Sequence, residues 1–214
     1  MKIVLATTNE HKVHELRQIL AAPASDLGVE IVSTAEFEGL PDVAETEVTF
    51  VGHATLKASA IAEATGLPTL ADDSGLSVDV LGGAPGVFSA RWSGSHAGTG
   101  ASRTEKDRAN LDLLLEQLAD VPDEHRGAAF VCAAVVVLPD GTSASRIGEL
   151  RGTLARAPRG SNGFGYDPIL IPADQPGGAR RHLAEYTDAE KNAISHRGRA
   201  FRALEPVIRD LLAH

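Results

Sequence analysis

Residues 2–12, KIVLATTNEHK, place a short apolar segment directly before a polar turn and the start of a helix. Residues 2–6 predict a buried strand, and apolar side chains then recur at helical spacing over residues 13–20. In open α/β sheets such a turn lies at the carboxyl end of a strand, where ligands bind. The helix that follows would present free N–H groups to an anion. The alternative is an ordinary helix cap followed by a solvated Lys12.

Strands and helices continue to alternate beyond this first unit of structure. Further strands are predicted over residues 29–33, 130–138 and 143–154. Further helices are predicted over residues 49–65 and 103–119, after Thr187 and after Ser195. Early alternation followed by a hairpin indicates an α/β architecture with a mixed sheet. Because no linker or repeat divides the chain, residues 1–214 are expected to form a single domain.

Composition excludes several classes of protein. The chain has 214 residues, with 29 acidic and 20 basic side chains and a net charge of −9, which argues against a nucleic-acid binder. Its single cysteine, Cys132, lies in an apolar run, so no intrachain disulfide is expected and a cytoplasmic location is the default. No apolar stretch approaches the length of a membrane span, so no membrane partner is expected either.

Two adjacent carboxylates occur in Asp72-Asp73-Ser74-Gly75, between two apolar segments. Adjacent carboxylates repel each other, and a hard divalent cation with oxygen ligands compensates them most simply. Glu45, in the acidic loop of residues 42–47, could complete such a site, although acidic loops are often merely solvated. The flanking patterns predict a strand, a tight turn at residues 72–75 and another strand, and a turn with only a backbone role is the alternative.

Two further segments near the C-terminal end carry candidate binding groups. The first is Ser161-Asn162-Gly163-Phe164-Gly165-Tyr166-Asp167-Pro168, where Phe164 offers a stacking face and Asp167 an acceptor. A purely structural glycine loop is the alternative there. In the second, His196 and Arg197 could donate to carbonyl or phosphate oxygens, with an exposed helix cap as the alternative.

The order of these motifs resembles that of the inosine triphosphate pyrophosphatase family, also called Ham1-like. The motifs that carry the resemblance are Thr7-Thr8-Asn9 with Lys12, Glu45, residues 71–76 (ADDSGL), 85–91 (PGVFSAR), 163–168 (GFGYDP) and 195–198 (SHRG). The resemblance implies a homodimeric, magnesium-dependent enzyme that hydrolyses ITP, dITP and XTP to the monophosphate and pyrophosphate, cleansing the nucleotide pool. It also implies an elongated central sheet flanked by helices, with two lobes and the active-site cleft between them.

The resemblance also implies roles for individual residues. Glu45 and Asp73 look like the Mg²⁺ ligands, and Asp73 also looks like the acceptor of a proton from water. Asp72 looks like a supporting acid, and Lys12 and Lys57 look like the cations that stabilise the departing pyrophosphate. The residues that look like substrate-binding positions are Thr7, Thr8, Asn9, Lys12, Ser74, Phe164, Gly165, Tyr166, Asp167, Lys191, His196 and Arg197. On this basis Arg197→Ala is expected to raise KM for ITP far more than it changes folding stability.

The sequence departs from the family pattern in two places. The family usually has Phe-x-Glu-Asn-Ala after the acidic loop, whereas residues 50–54 are Phe-Val-Gly-His-Ala, so Gly52 and His53 replace the Glu and the Asn. A second carboxylate is therefore missing from that helix. The segment Ser93 to Arg108 looks longer than its counterpart, and a mobile loop without a catalytic role is expected there.

Two other functions compete with this hypothesis. A Maf-like nucleotide pyrophosphatase would act on pyrimidine or methylated nucleotides, and turnover of ITP, XTP, dTTP and UTP would separate the two enzymes. A nucleotide-binding sensor would bind without turnover. Glu45, Asp73, Lys12 and Lys57 are all present, which argues against the sensor.

Overall fold

The computed structural model describes residues 1–44 and 46–212 of the chain. Its strands and helices are β1 (Lys2–Leu5), α1 (Glu10–Leu27), β2 (Glu30–Ser33), α2 (Phe50–Thr65), β3 (Thr69–Val78), α3 (Arg103–Gln117), β4 (Gly127–Val137), β5 (Ser143–Leu154), β6 (Leu170–Pro172), α4 (Asp188–Ile194) and α5 (His196–Leu212). The six strands form one sheet in the order β2-β1-β3-β4-β5-β6. β1 pairs in parallel with β2 and β3, and β5 pairs antiparallel with β6, so the predicted mixed α/β sheet is confirmed.

The chain folds into two compact units. The first contains Met1–Asp73, Cys132–Glu149 and the residues from Ile194 onwards. The second contains Ser74–Val131 and Leu150–Ala193. None of the helices within residues 1–44 and 46–212 has the length and apolar character needed to cross a bilayer.

The first unit has an apolar core on each side of its strands. Side chains alternate between the two faces of a strand, so Ile3 and Leu5 lie in one core with residues of α1 and α5. Val4 and Ala6 lie in the other core with residues of α2. β4 contributes to both cores, which explains why its sequence is a continuous apolar run rather than an alternating pattern.

The predicted tight turn at residues 72–75 is wrong, because β3 runs without interruption from Thr69 to Val78. The alternation of a strand sends Asp72 and Asp73 to opposite faces, so the two carboxylates do not share one side of the sheet. Asp72 is paired with cations from α1 and α5, and Asp73 lies beside basic side chains of α2. These partners compensate the charges, so the strand does not need to end at the acidic pair.

The segment from Ser93 to Arg108, expected to be a loop, is partly helical. A short 3₁₀ helix covers Gly94–Ala97, and α3 already begins at Arg103. Ser102 caps α3, and the Glu105 carboxylate accepts a hydrogen bond from the Ser102 backbone in return. The loop predicted from Ser93 to Arg108 therefore ends at this cap. β6 was not predicted, since three residues are too few for a periodic pattern.

Candidate active site

The turn between β1 and α1 is built around Asn9. Its side-chain oxygen accepts hydrogen bonds from the backbone N–H groups of His11 and Lys12, at 3.1 and 3.4 Å, which makes Asn9 the N-cap of α1. The Thr7 hydroxyl oxygen accepts from the Asn9 N–H at 3.2 Å, while Thr8 is exposed. The predicted phosphate turn is thus a capped helix N-terminus, with Lys12 in its first turn.

Asp72 is the centre of a buried ionic cluster. The Lys12 Nζ lies 3.0 Å from its Oδ2, and the Arg197 Nε and Nη2 donate to the same oxygen at 3.2 and 3.1 Å. Arg197 also donates through Nη1 to Glu15. The Asp72 side chain is fully buried and that of Arg197 is 1% exposed, so this cluster is sealed from solvent at its centre.

The charges in the cluster determine its protonation. Burial alone would raise the pKa of Asp72, but Lys12 and Arg197 outweigh burial and hold that pKa well below its ordinary value. Burial alone would lower the pKa of Arg197, but Asp72 and Glu15 raise it. Cys132, whose Sγ lies 3.9 Å from the Asp72 Oδ2, has a raised thiol pKa because of burial and the Asp72 charge. Asp72 is therefore a permanent anion, and Cys132 is not a nucleophile at neutral pH.

Asp73 lies beside α2 and is more accessible than Asp72. Its Oδ2 is 3.0 Å from the His53 Nδ1, and its Oδ1 is 3.7 Å from the Lys57 Nζ. His53 and Lys57 are four residues apart, so they share one face of α2. Thr49 fixes the start of that helix by accepting the Gly52 N–H at 3.0 Å. The Asp73 side chain is 12% exposed, whereas that of Asp72 is 0% exposed, so Asp73 is the carboxylate that a water molecule or a phosphate can reach.

Gly52 stands where the family usually has a glutamate, and the local packing explains why a residue without a side chain fits at this position. A Cβ at Gly52 would lie 2.8 Å from the Cβ of Glu47, which real side chains do not tolerate. The Glu47 side chain thus occupies the space beside α2 that a residue with a side chain at position 52 would need.

The second unit holds a separate cluster around Asp167. Lys191 donates to the Asp167 Oδ2 at 2.7 Å, and both side chains are 4% exposed. The Phe164 backbone N–H donates to the same oxygen at 2.9 Å, and the Lys191 ammonium lies 5.0 Å from the centre of the Phe164 ring. The Tyr166 hydroxyl is buried and donates to the Ser89 carbonyl at 2.9 Å. Asp167 therefore binds both the backbone of the loop at Phe164 and the Lys191 ammonium.

The other residues singled out from the sequence have these positions. Ser74 is half-buried in β3 and Gly165 donates through its N–H to Asp107 at 3.3 Å. His196 begins α5 and is buried. Glu45 lies outside the described residues. Within residues 1–44 and 46–212, no three His, Cys, Asp or Glu side chains meet in an arrangement that could hold a metal ion.

Sequence reasoning missed the contacts of Glu15 and His53. Glu15 follows Lys12 by three residues, so helical spacing alone places both on one face of α1. That spacing could have identified Glu15 as a further member of the cluster that contains Lys12. His53 was noted only as a departure from the family pattern. Its spacing of four from Lys57 is the signal that both side chains lie on the same face of α2.

Gly163 is a second position where only glycine fits, and we expect Gly163→Ala to destabilise the Asp167 cluster. Gly163 has a φ of +78°, and a Cβ there would overlap the Asp167 carboxylate and lie 3.0 Å from the Lys191 Nζ. Backbone strain of this kind costs about 1–3 kcal/mol, and displacement of the ion pair adds to it. Chemical denaturation of the variant measures the loss.

Gly165→Ala is the matched control. Gly165 also has a positive φ, +60°, but no atom of the described residues lies within 4 Å of a Cβ built there. The control carries the backbone strain without the overlap, so Gly163→Ala should lose clearly more stability. Equal losses in the two variants would contradict the close approach of Gly163 to Asp167.

The chain is similar to known proteins over most of its length. The Ham1 family profile matches residues 3–207. The chain is 58% identical to the dITP/XTP pyrophosphatase of Streptomyces coelicolor, over 99% of this chain and 98% of that protein. It is 56% identical to the enzyme of the same name from Frankia alni, over 99% of each chain.

Solved structures show the same relationship. A HAM1 protein from Coxiella burnetii superposes with a TM-score of 0.81 at 40% identity, covering 98% of this chain and 99% of that one. A nucleoside-triphosphatase, also described as a dITP/XTP pyrophosphatase, from Mycobacterium abscessus gives 0.73 at 47% identity, covering 95% and 98%. Sequence and structure thus agree over nearly the whole chain, which belongs to the Ham1 family.

Proposed function

We propose that this chain hydrolyses dITP, ITP and XTP to the nucleoside monophosphate and pyrophosphate, and so removes non-canonical purines from the nucleotide pool. The observation that carries the proposal is the partly exposed Asp73 carboxylate, held between His53 and Lys57 on α2. The names of the relatives from Streptomyces coelicolor and Frankia alni support the choice of substrate.

An acidic protein needs cations where a triphosphate binds. The net charge of −9 would repel such a substrate, so local positive charge has to overcome it. The Lys57 Nζ lies 3.7 Å from the Asp73 Oδ1, so it supplies positive charge beside the carboxylate where we place the reaction. Lys12 is 14% exposed and belongs to the first turn of α1, whose N-terminus favours phosphate. We propose that Thr7, Thr8 and Asn9, which form this turn, also contact the phosphates. Ser74, which follows Asp73 in β3, has the same proposed role.

The donor set fits a magnesium ion. We propose that Asp73 and Glu45 hold Mg²⁺, which prefers oxygen ligands and commonly uses one or two carboxylates together with substrate phosphates. A third protein ligand is therefore not required. When bound, the ion would neutralise charge that develops on the phosphate oxygens.

The residues of this chain then have distinct tasks in the reaction. Asp73 accepts a proton from a water molecule whose oxygen attacks the α-phosphorus. The bond between the α-phosphorus and the bridging oxygen breaks, and pyrophosphate leaves with the electron pair. Lys12 and Lys57 stabilise the charge of this leaving group. Asp72 does not exchange a proton, because its cationic neighbours keep it ionised.

Recognition of the base follows from its donors and acceptors. A 6-oxo purine presents an acceptor where adenine presents an amino group, so donors from His196 or backbone N–H groups would favour hypoxanthine and xanthine. We propose that Phe164 stacks on the base and that Gly165, Tyr166, Asp167 and Lys191 shape its surroundings. A dry site of this kind discriminates by about 10⁴-fold, because adenine would leave its donors unpaired.

A substrate panel with product identification tests this function. Purified protein with Mg²⁺ is supplied with ITP, dITP, XTP, ATP, GTP, dTTP and UTP, and the nucleotide products are separated by chromatography. We expect kcat/KM to be highest for ITP, dITP and XTP, with monophosphate and pyrophosphate as products. Preference for dTTP or UTP would favour the Maf-like alternative, and binding without turnover would favour a nucleotide sensor.

We further propose that the protein is a cytoplasmic homodimer, as the resemblance to the family implies. Sedimentation velocity across a range of protein concentrations tests the assembly. A species with the mass of one 22.4 kDa chain at all concentrations would contradict the dimer.

A further inference from the structure

We propose that His53 is a positioning residue that fixes the orientation of the Asp73 carboxylate, an inference that rests on the proposed function. The family usually has an asparagine at this place, so the histidine is a feature of this chain. Its imidazole is completely buried, and its Nδ1 lies 3.0 Å from the Asp73 Oδ2. That distance is ordinary for a hydrogen bond between a ring N–H and a carboxylate.

The location of the ring proton follows from hydrogen-bond accounting. The Asp73 Oδ2 can only accept, so the Nδ1 of His53 must carry the proton that it donates. The Nε2 is buried, and no residue within 1–44 and 46–212 forms a hydrogen bond with it. A proton on Nε2 would be a buried donor without an acceptor, which is costly. His53 therefore has its proton on Nδ1 and a lone pair on Nε2.

This hydrogen bond gives the two oxygens of Asp73 different tasks. Oδ2 is anchored by His53, whereas Oδ1 is the oxygen 3.7 Å from the Lys57 Nζ. An anchored Oδ2 prevents rotation of the carboxylate and keeps Oδ1 directed to the same place in every turnover. Partners of metal-ligating carboxylates act in this way, by orienting a group without touching the substrate.

The imidazole is itself held rigidly. α2 is capped by Thr49, and its residues Ala54, Ala58 and Ile61 pack in an apolar core of the first unit. His53 lies next to these positions on the helix and is as buried as they are. The hydrogen bond to Asp73 thus connects the carboxylate to a fixed element rather than to a loop.

The role can be separated from a merely structural one with three variants. His53→Leu keeps the approximate size of the side chain but has no donor. His53→Asn restores a side-chain N–H that can donate to Asp73. Ile61→Ala is the matched control, because Ile61 is buried on the same helix and packs in its apolar core.

Three measurements are made on these variants. Steady-state kinetics with ITP separate kcat from KM. Titration with Mn²⁺, followed by electron paramagnetic resonance in the absence of nucleotide, gives metal affinity without turnover. Nitrogen-15 NMR of the histidine side chains of the wild-type protein, with the His53 signal assigned from the variants, shows which ring nitrogen carries the proton.

We expect His53→Leu to lower kcat about 10-fold to 100-fold and to weaken Mn²⁺ binding by about 10-fold, the size of effect known for such supporting residues. KM should change little. His53→Asn should recover most of both losses. Ile61→Ala should lower Tm but leave kcat and Mn²⁺ affinity near wild-type values.

Several results would overturn the proposal. They are wild-type kcat and Mn²⁺ affinity in His53→Leu, a His53→Asn variant as impaired as His53→Leu, or an Nε2–H tautomer in the wild-type protein. If His53→Leu does not fold, the NMR result and the His53→Asn variant decide. If the wild-type protein does not hydrolyse ITP, the proposed function fails, while the Mn²⁺ titration and the NMR still test the role of His53.

Discussion

Asp73→Asn is expected to lower kcat for ITP by about 10³-fold or more, since general-base catalysis alone contributes on this scale. An amide cannot accept the proton of the attacking water, and it lacks the negative charge that a divalent cation needs. The shape of the side chain is kept, and the amide oxygen can still accept the hydrogen bond from His53 at Nδ1. Turnover of ITP with saturating Mg²⁺ measures the effect.

Asp79→Asn is the control for a general effect of lost negative charge. Asp79 forms a bidentate pair with Arg151, at 3.0 and 2.6 Å, on the exposed surface of the second unit. Its loss should change kcat little, and thermal unfolding should show both variants folded. A folded Asp73→Asn enzyme with near-normal turnover would remove Asp73 from the catalytic step.

The sequence predicted most elements of the first unit because their signals are local. The strand β1, the helix α1 and the capped helix α2 each follow from spacing and end signals within about one element length. Thr49 caps α2 and Gly66 ends it with a φ of +66°, so the observed helix, Phe50–Thr65, lies within the predicted range of residues 49–65.

The acidic pair Asp72-Asp73 shows why the prediction of a turn at residues 72–75 failed. Residues 72–75 read locally as a turn, because nothing within a few positions compensates two carboxylates. In the structure Asp72 binds Lys12, 60 residues before it, and Arg197, 125 residues after it. Such partners are invisible to local patterns, so tertiary charge pairing overrides turn propensity here.

The candidate site was predictable as a set of residues but not as a set of contacts. Asp167 and Lys191 were both named, yet only the structure places them 2.7 Å apart. Arg197 was assigned to the nucleoside, whereas its described contacts are with Asp72 and Glu15. Sequence order gives the identity of chemical groups, and only packing gives their partners.

Burial changes the expected effect of replacing Arg197. From the sequence alone, loss of this side chain should raise KM with little effect on folding. The structure shows a guanidinium that is 1% exposed and bound to two carboxylates. We therefore expect Arg197→Met to lower the free energy of unfolding by about 3–5 kcal/mol, the usual result of removing one partner from a buried ion pair.

The loss of stability comes from the two buried carboxylates that lose the guanidinium as their partner. Asp72 would stay buried, with Lys12 as its remaining cation among the described contacts, and Glu15 would lose the donor at its side-chain oxygen. Urea denaturation measures the loss. Arg199→Met is the matched control on the same helix, because Arg199 is exposed and donates to the Glu149 carbonyl at 2.9 Å. Surface changes of this kind fall within about 0.5 kcal/mol.

A double-mutant cycle assigns the effect to the cluster itself. If Glu15 and Arg197 stabilise each other, Glu15→Gln should cost less in the Arg197→Met background than in the wild type, with a coupling of about 0.5–3 kcal/mol. KM for ITP, measured at a temperature where both proteins are folded, then isolates any contact of Arg197 with the nucleotide. Additive losses, or an Arg197→Met variant as stable as Arg199→Met, would show that the buried cluster does not hold this part of the fold together.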